Sequence, residues 1–502
     1  MHILMAGISR SMYNHIFLFL LFVAFFSCQS EEEPLPNVVF ILADDLGWAD
    51  LPIYGNEFNE APHLTSLARQ GRTFTNAYAA CPVCSPTRAS IQTGQYPARL
   101  GIIDFLPGHW RPYEKMIPAQ NRTQYLPLKM ETLGEIMQRA GYRTGYFGKW
   151  HLGNQEQNFA KNQGYEESVI FQGSPYYHYN KVMQPNQDFP EEKVLAEALT
   201  DLGISFIEKN KDNPFFLFLA HYDVHVQLDA DSTKIEKYLK KEKVQGYPCN
   251  AIYASMVEQI DESVGRVMEK LNLLGLEENT IFIFFSDNGG LVSRFDKVPL
   301  IAKSKQHIYE GDSLLYIASS NAPLRAEKGT LYEGGIREPL IIKWPGKITA
   351  GSRSEIPVSS VDFFPTLLQL TGTQSQQVTD GQSLLPELLN DAGMERDLFW
   401  HYPVYHHSRP ASAIRSEDWK LIHFYDTGED ELYHLSDDIS EEINLSDSNA
   451  TKKATLKNSL DQWLRQVGAD LPEVNPDFDE SRRYEWGTHP GREQLLKGEI
   501  LE

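Results

Sequence analysis

Three runs of apolar residues, each about as long as one β-strand, constrain the fold of this 502-residue chain most strongly. They are residues 36–43 (PNVVFILA), 214–220 (PFFLFLA) and 280–285 (TIFIFF). Because they lack the alternation of a half-exposed strand, each is predicted to be buried on both faces, as in a parallel sheet. The sequence therefore predicts an α/β fold, in which helices cover both faces of a parallel sheet.

Acidic and amide side chains follow the first and third of these runs. Asp44 and Asp45 come after the first, and Asp287 and Asn288 come after the third. Carboxylates at the end of a buried strand are unfavourable unless water or a cation neutralises them, so a solvated loop and a metal site are the two interpretations. The carboxyl edge of the sheet is where α/β enzymes bind ligands, which favours the metal site. Oxygen ligands suit Ca²⁺ better than Zn²⁺, with Mg²⁺ as the alternative.

Residues 81–88 (CPVCSPTR) are predicted to form a loop that enters a helix. Ser85 is the predicted N-cap, Pro86 the first helical residue and Gly94 the end of the helix. Cys84 is therefore expected just before the helix N-terminus. Unpaired N–H groups and the helix dipole at that place favour an anion such as sulfate or phosphate.

Cys81 and Cys84 also have the Cys-x-x-Cys spacing of a redox pair or of half a zinc site. A zinc site needs a second pair of ligands, and Cys249 is the one further cysteine after the predicted signal peptide. Zinc is therefore disfavoured, whereas the redox pair stays open from spacing alone.

Four motifs together resemble the formylglycine-dependent (type I) sulfatases of the alkaline-phosphatase superfamily. The string at 84–88 (CSPTR) matches their Cys-x-Pro-x-Arg signature, and residues 44–48 (DDLGW) resemble their first metal-binding motif. Residues 148–153 (GKWHLG) and 323–337 (PLRAEKGTLYEGGIR) match two further signatures. The resemblance implies an alkaline-phosphatase-like fold, in which helices sandwich a large, mixed but mostly parallel sheet. It implies hydrolysis of sulfate esters, and oxidation of Cys84 to formylglycine (3-oxoalanine) by a maturation enzyme.

The resemblance also implies roles for individual residues. The hydrated aldehyde at position 84 would be the nucleophile, His225 would protonate the leaving oxygen and His151 would accept a proton to expel sulfate. His221 is the alternative to His225 as the acid. The implied catalytic set is Cys84, Arg88, Lys149, His151, His225 and Lys328. The implied metal ligands are Asp44, Asp45, Cys84, Asp287 and Asn288.

Sulfated carbohydrate is the expected substrate, because an exported bacterial sulfatase would act on polysaccharide fragments. A phosphomonoester or phosphonate hydrolase on the same scaffold, and a non-catalytic glycan-binding lipoprotein, are the alternatives. Two parts of the sequence supply candidate sugar-binding residues, one after the site helix and one near the C-terminal subdomain. These residues are Trp110, Arg111, His401, His406, His407 and Arg409.

The formal net charge of −22 argues against nucleic acid as a partner. Sulfate esters are anionic as well, so this charge at first disfavours them too. Because the screening length is about 8 Å at physiological salt, a local cationic pocket can still bind an anion.

The N-terminus is predicted to be a targeting segment. Residues 16–26 form an apolar run too short to span a bilayer comfortably, as in a signal peptide. Ser27 and Cys28 resemble a bacterial lipobox, and the acidic residues 31–33 resemble a surface-export tag. The prediction is a periplasmic or outer-membrane (cell-surface) lipoprotein of a Gram-negative bacterium, attached through a lipid on Cys28. An ordinary secretory signal, or a start at Met12, is the alternative.

The composition changes after about residue 391, which predicts a second, smaller unit. Residues 412–416, 419–425 and 431–435 read as short antiparallel strands followed by one amphipathic helix. The chain after residue 472 is rich in charge and is expected to wrap loosely over the surface. The predicted organisation is a signal peptide (1–28), a linker (29–35), a catalytic domain (36–391), a C-terminal α+β subdomain (392–490) and a tail (491–502).

Overall fold

The computed structural model describes residues 34–118, 122–171, 177–178, 183–190, 192–294 and 298–488. The predicted signal peptide, with its lipobox cysteine, and the predicted tail lie outside the described residues. Within the described part of the chain, no helix has the length and apolar character needed to cross a membrane.

The described strands and helices are bounded as follows. The strands are β1 (Asn37–Ala43), β2 (Arg72–Tyr78), β3 (Met116–Ile117), β4 (Arg143–Gly148), β5 (Glu167–Phe171), β6 (Met183–Gln184), β7 (Phe215–Ala220), β8 (Thr280–Ser286), β9 (Arg337–Lys343), β10 (Ser352–Ser354), β11 (Val358–Ser359), β12 (Asp397–Tyr402), β13 (Ala411–Ser416), β14 (Trp419–Phe424), β15 (Asp430–His434) and β16 (Glu473–Val474). The helices are α1 (Pro62–Gln70), α2 (Cys84–Thr93), α3 (Pro97–Leu100), α4 (Leu133–Arg139), α5 (Leu195–Asn210), α6 (Ser232–Lys240), α7 (Ala251–Leu273), α8 (Glu333–Ile336), α9 (Phe363–Thr371), α10 (Leu385–Asn390) and α11 (Ala450–Val467).

The large sheet has the strand order β10-β2-β9-β8-β1-β7-β4-β5-β6, with β11 beside β2. Its four central strands, β8, β1, β7 and β4, are parallel, and β9 joins β8 and β2 in antiparallel fashion. This is the predicted mixed, mostly parallel sheet. Ala43 pairs with Ser286, and Gly148 pairs with Ala220, so these strands end at one common edge.

The apolar runs are buried on both faces, as predicted. In β1, Val39 and Ile41 pack into a core with helices α1, α5 and α7. Phe40 and Leu42 point the other way, into a core with α2, α4 and α9. Full burial of one such side chain contributes roughly 1.5–3 kcal/mol, so the two cores hold the central strands firmly.

The C-terminal sheet contains strands β12 to β15, all antiparallel. One face packs on α11 through residues such as Leu460 and Trp463. The other face packs on the segment that leads into α2, where the indole nitrogen of Trp400 donates a hydrogen bond to the carbonyl of Ala79 (2.8 Å). The predicted antiparallel strands and helix are confirmed, and β12 is an addition to them. The boundary at residue 391 stays a prediction.

Helix α2 begins two residues earlier than predicted. Cys84 is the first helical residue and Val83 is the N-cap, without a capping side chain. The predicted N-cap, Ser85, instead accepts a hydrogen bond from the backbone N–H of Leu106 (3.2 Å). Pro86 is tolerated in the first turn because the N–H that it lacks would have no partner within the helix. Gly94 ends the helix with φ +68°, as predicted.

Candidate active site

The carboxyl edge of the central strands gathers the predicted catalytic and metal-binding residues. Strand β1 leads into Asp44 and Asp45, and β8 leads into Asp287 and Asn288. Strand β4 leads into Lys149 and His151, and β7 leads into the segment with His221 and His225. Cys84 opens α2 and Lys328 lies before α8. Because parallel strands align their ends, side chains far apart in sequence meet at one place.

Cys84 lies beside cationic side chains. Its Sγ atom is 3.7 Å from the Nζ atom of Lys328. Burial raises the pKa of the Cys84 thiol, although Lys149 and Lys328 act in the opposite direction. The unmodified cysteine is therefore a poor nucleophile at neutral pH, since the thiolate is its reactive form.

Each carboxylate of the site is paired with a cation. The Nζ atom of Lys149 lies 2.5 Å from Oδ2 of Asp44, and the Nζ atom of Lys328 lies 2.6 Å from Oδ1 of Asp45. Burial opposes ionisation of both aspartates, but the nearby cations outweigh it and lower the pKa of each. Both are therefore carboxylates at neutral pH and can act as ligands.

Asp287 is held by Arg88, whose Nε atom donates to Oδ2 of Asp287 (2.8 Å). Burial, followed by the charge of Asp44, raises the pKa of Asp287, and Arg88 opposes this. Arg88 also donates to the carbonyl of Lys149 (2.8 Å), which fixes its guanidinium between two strands. Arg88 thus positions a carboxylate at the floor of the site.

Two buried oxygen atoms suit a divalent cation. Oδ1 of Asp44 and Oδ1 of Asn288 are buried and have no hydrogen-bond partner in the described structure, although buried polar atoms are normally paired. In addition, ligand atoms of Asp44, Asp45, Cys84 and His225 all lie within 4.8 Å of one another. The residues present therefore fit a divalent cation. Because this second group includes sulfur and imidazole donors, the fit does not identify the metal.

His151 carries an available proton acceptor. Its Nε2 atom lies 2.9 Å from the carbonyl of Leu106, and a carbonyl only accepts, so Nε2 bears the hydrogen. The Nδ1 atom is then the basic nitrogen, and it is buried without a hydrogen-bond partner in the described structure. Burial, followed by the charge of Lys149, lowers the pKa of His151 well below its usual value. The neutral imidazole is the form present at neutral pH.

His225 and His221 differ in their surroundings. The Nδ1 atom of His225 donates to the carbonyl of Val226 (2.5 Å), and its Nε2 atom lies 3.6 Å from Oδ2 of Asp45. Nε2 is therefore the atom of His225 that can exchange a proton at the site. His221 is fully buried, bonds to Ser263 (2.9 Å) and has a pKa lowered to about 3 by burial. This arrangement favours His225 over His221 as the acid.

Three of the predicted sugar-binding residues connect with the segment that contains Lys328. A Cβ atom added to Gly329 would lie 2.1 Å from Nδ1 of His406, so this ring packs directly on the backbone beside Lys328. Arg111 donates to the carbonyl of His406 (3.1 Å), and His407 forms an ion pair with Glu327 (3.1 Å). Trp110 lies next to Arg111.

The family model described as Sulfatase matches residues 36–373. The chain belongs to the sulfatase family. A second model, described as N-sulphoglucosamine sulphohydrolase, C-terminal, matches residues 326–469. The chain is therefore a sulfuric ester hydrolase with an alkaline-phosphatase-like fold. Sulfatases generally use a formylglycine residue and a divalent metal, and here a cysteine and acidic residues are clustered.

Individual relatives support this assignment. A sulfatase of Formosa agariphila is 31% identical, over 86% of this chain and 88% of the relative. The N-acetylgalactosamine-6-sulfatase of Rattus norvegicus is 33% identical, over 73% of this chain and 68% of the relative. The crystal structure of Ps i-CgsB in complex with k-i-k-neocarrahexaose matches with a TM-score of 0.69 and 26% identity, covering 89% of this chain and 95% of that chain.

Two predicted sugar-binding residues of this sulfatase, His401 and Arg409, bond to other parts of the C-terminal region, and their role stays a prediction. His401 is 3% exposed, and its ring bonds to Ser412 (2.7 Å) and to the carbonyl of Asp470 (3.0 Å). Arg409 lies on a hairpin of the C-terminal sheet, where it bonds to Glu429 (2.9 Å). Both residues flank His406 and His407 in sequence, but the chain turns between them.

Two residues that the sequence did not single out lie beside the site of this sulfatase. The ring of Phe105 is 6.4 Å from the ring of His151, and the ring of His109 is 3.8 Å from the ring of His406. Asp104 holds His109 in place through its backbone and its ring. Only their closeness in sequence to Trp110, a predicted sugar-binding residue in the same loop, could have pointed to them.

Proposed function

We propose that this sulfatase hydrolyses sulfate esters of saccharides, with residue 84 matured to formylglycine. The observation that carries the proposal is the cationic environment of Cys84 in an otherwise acidic chain. Lys328 lies 3.7 Å from its Sγ atom, while Lys149 pairs with Asp44 and Arg88 pairs with Asp287. Fixed positive groups of this kind stabilise the charge that develops on the oxygens of an ester of a strong acid.

We propose Ca²⁺ as the metal, held by Asp44, Asp45, Asp287, Asn288 and residue 84. Maturation would replace the sulfur of Cys84 by oxygen, so all five proposed ligands would offer hard oxygen donors. Such a set favours Ca²⁺, with Mg²⁺ as the alternative. When bound, the cation would supply Lewis-acid charge at the sulfate group.

Side chains of this protein would bind the sulfate group and transfer the protons. Lys149 and Lys328 bind sulfate oxygens and neutralise their charge. His225 donates a proton to the leaving oxygen from Nε2, because its Nδ1 hydrogen is committed to the carbonyl of Val226. His151 accepts a proton at Nδ1, which has no other partner in the described structure. A formylglycine-generating maturation enzyme would be the required partner.

A saccharide substrate is supported by the named relatives and by the rings of His406 and His109, here called the aromatic rim. One relative is an N-acetylgalactosamine-6-sulfatase, and one structural neighbour is in complex with k-i-k-neocarrahexaose. In this chain the rings of His406 and His109 border the approach to Lys328. Flat rings near a charged anchor suit a sugar that carries a sulfate group.

A screen against defined sulfated saccharides tests this proposal. The set would contain N-acetylgalactosamine 6-sulfate, galactose 4-sulfate and sulfated carrageenan oligosaccharides. The matched control for each monosaccharide is the same sugar with phosphate in place of sulfate. We expect release of inorganic sulfate from at least one saccharide, at a kcat/KM well above that of the matched phosphate. Faster release of phosphate would instead favour the phosphomonoester or phosphonate hydrolase.

We further propose that the protein is exported and lipidated on Cys28, which would attach it to a membrane of the Gram-negative envelope. The apolar run, the lipobox-like cysteine and the acidic residues after it are the support. The wild type should incorporate a labelled fatty acid and fractionate with membranes, whereas Cys28→Ala should do neither. Equal labelling of both proteins would contradict the proposal.

A further inference from the structure

Residues 473–487, here called the strap, are fixed to the loop that borders the active site. Strand β16 pairs with β3, and the side chain of Asn475 donates to the carbonyls of Pro112 (2.8 Å) and Glu114 (2.7 Å). Near the other end, the N–H of Gly487 donates to the carbonyl of Trp110 (3.0 Å). The expectation that this segment wraps loosely is therefore wrong, because its backbone and side chains are hydrogen-bonded along its length.

The strap brings Trp486 to the rim of the site. The guanidinium carbon of Arg111 lies 4.4 Å from the centre of the Trp486 ring, and the ring of His109 lies 5.2 Å from it. The residue is 37% exposed. An indole held from two sides and still partly open to solvent is a preformed surface for a ligand.

A row of rings connects this surface with the catalytic centre. His109 lies 3.8 Å from His406, and His406 packs on Gly329, next to Lys328. On the other side, Phe105 lies 4.5 Å from His109 and 6.4 Å from His151. Two rings, those of His109 and His406, thus connect Trp486 with the backbone beside Lys328.

Charges at the rim are balanced. Glu114 lies 3.4 Å from Arg111 and 3.2 Å from Arg483, and Glu480 lies 3.2 Å from Arg483, so two carboxylates face two guanidinium groups. Among the described residues, the Arg111 that stacks on Trp486 is thus already paired, so the partly exposed indole ring lacks beside it the unpaired cation that a second sulfate group would need. An uncharged face of a sugar ring fits it better.

We propose that Trp486 is a specificity-determining residue that stacks on the sugar next to the sulfated one. The strap positions it, and its ring receives the neighbouring unit when the sulfate group lies at Lys328. This inference rests on the proposed function, because it requires a saccharide substrate. It makes the sulfatase selective for oligosaccharides over single sulfated sugars.

The test compares kcat/KM for paired substrates. N-acetylgalactosamine 6-sulfate is paired with a chondroitin 6-sulfate oligosaccharide that carries it at the terminus, and galactose 4-sulfate is paired with a sulfated neocarrahexaose. 4-Nitrophenyl sulfate is the reference. Trp486→Ala should lower kcat/KM for the hydrolysed oligosaccharide about tenfold, mainly through KM. It should leave the monosaccharide and the reference within about twofold.

Control variants separate stacking from general damage. Tyr484 lies in the same strap and is 71% exposed, so Tyr484→Ala should leave all the rates unchanged. Trp486→Phe, which keeps an aromatic ring, should retain most of the oligosaccharide rate. Asn475→Ala removes an anchor of the strap and should reproduce the selective loss in part.

Three outcomes would count against the inference. Unchanged oligosaccharide kinetics in Trp486→Ala, or an equal loss on 4-nitrophenyl sulfate, would overturn it while leaving the proposed function intact. A wild-type enzyme that hydrolyses 4-nitrophenyl sulfate but neither saccharide pair would defeat the proposed substrate class, and the role of Trp486 with it.

Discussion

The ammonium group of Lys328 lies 3.7 Å from the Sγ atom of Cys84 and 2.6 Å from a carboxylate oxygen of Asp45. Lys328 thus joins the proposed nucleophile to a proposed metal ligand. Burial opposes its charge, but Asp45, followed by Cys84, raises its pKa above the usual value for lysine. It therefore stays charged and available to the sulfate group across the physiological pH range.

Lys328→Ala should lower kcat/KM by about 10²-fold to 10³-fold, the usual cost of removing one fixed group that stabilises developing charge. The loss should be similar for aryl and saccharide sulfates, because both carry the same sulfate group. Lys240→Ala is the matched control, since Lys240 is exposed and pairs weakly with Glu236 (3.5 Å). A rate for Lys328→Ala within twofold of wild type would remove Lys328 from the catalytic set.

Removal of the metal should abolish turnover. The wild type treated with a chelator is expected to regain activity with Ca²⁺, more weakly with Mg²⁺, and elemental analysis should find one ion per chain. Asn288→Leu removes a buried oxygen that has no partner in the described structure, so it should lower the Ca²⁺ content and the rate together. Full activity of a metal-free sample would contradict the site, and restoration by Zn²⁺ alone would contradict the choice of Ca²⁺.

His225→Ala should show a dependence on the leaving group. A sugar alkoxide needs a proton donor, so its kcat/KM should fall about 10²-fold or more, whereas 4-nitrophenolate leaves readily and should lose much less. Both substrates would be measured on both proteins. Equal losses would mean that His225 binds the sulfate group. Unchanged rates would transfer the role to His221.

Glu441 should make the folded state less stable as the pH rises. Burial raises its pKa to about 7, although Lys420 lies 2.9 Å away and opposes the shift. Because the folded pKa exceeds the unfolded value, the stabilisation is complete below about pH 4.5 and is lost as the pH rises through about 7. The free energy of unfolding of the wild type should therefore drop by about 1–3 kcal/mol between pH 5 and pH 8 relative to Glu441→Gln.

The comparison for Glu441 has an internal reference. Its neighbour Glu333 shares Lys420 (2.8 Å) but is also held by Arg337 and Arg415. Burial opposes its ionisation, yet these cations lower its pKa to about 2, so it does not titrate between pH 5 and pH 8. Exposed Glu442→Gln is the control. Denaturant unfolding at pH 5 and at pH 8 gives the change in the free energy of unfolding between the two pH values. An identical change for wild type and Glu441→Gln would refute the prediction.

The sequence predicted the central strands and the meeting of the site residues because both depend on local patterns. An apolar run such as residues 280–285 is compatible with few environments, and the acid that follows it must lie at the edge of the sheet. Cys84 and Lys328, which lie outside these strands, were placed by resemblance to a family. The structure brings them within 3.7 Å of each other.

The rim of the site could not be predicted in the same way, because it depends on contacts between distant segments. His406 and His401 are five residues apart, yet one packs beside Lys328 and the other is buried against Asp470. Trp486 reaches the rim because the strap pairs with residues 110–117, and no hydrophobic periodicity in the sequence indicates this pairing. A short strand pair such as β3 with β16 is specified by tertiary packing and not by propensity.

Inorganic sulfate release by wild type, Cys81→Ala and Cys84→Ala tests the central claim most directly. Each protein would be co-expressed with a formylglycine-generating enzyme, and mass spectrometry would measure the mass of the peptide that contains residue 84. We predict that wild type and Cys81→Ala release sulfate and carry a residue 84 lighter than cysteine, as expected when sulfur is replaced by an aldehyde oxygen. Cys84→Ala should fold and release none. Wild-type turnover by Cys84→Ala, or by a wild type in which residue 84 is still cysteine, would contradict the account.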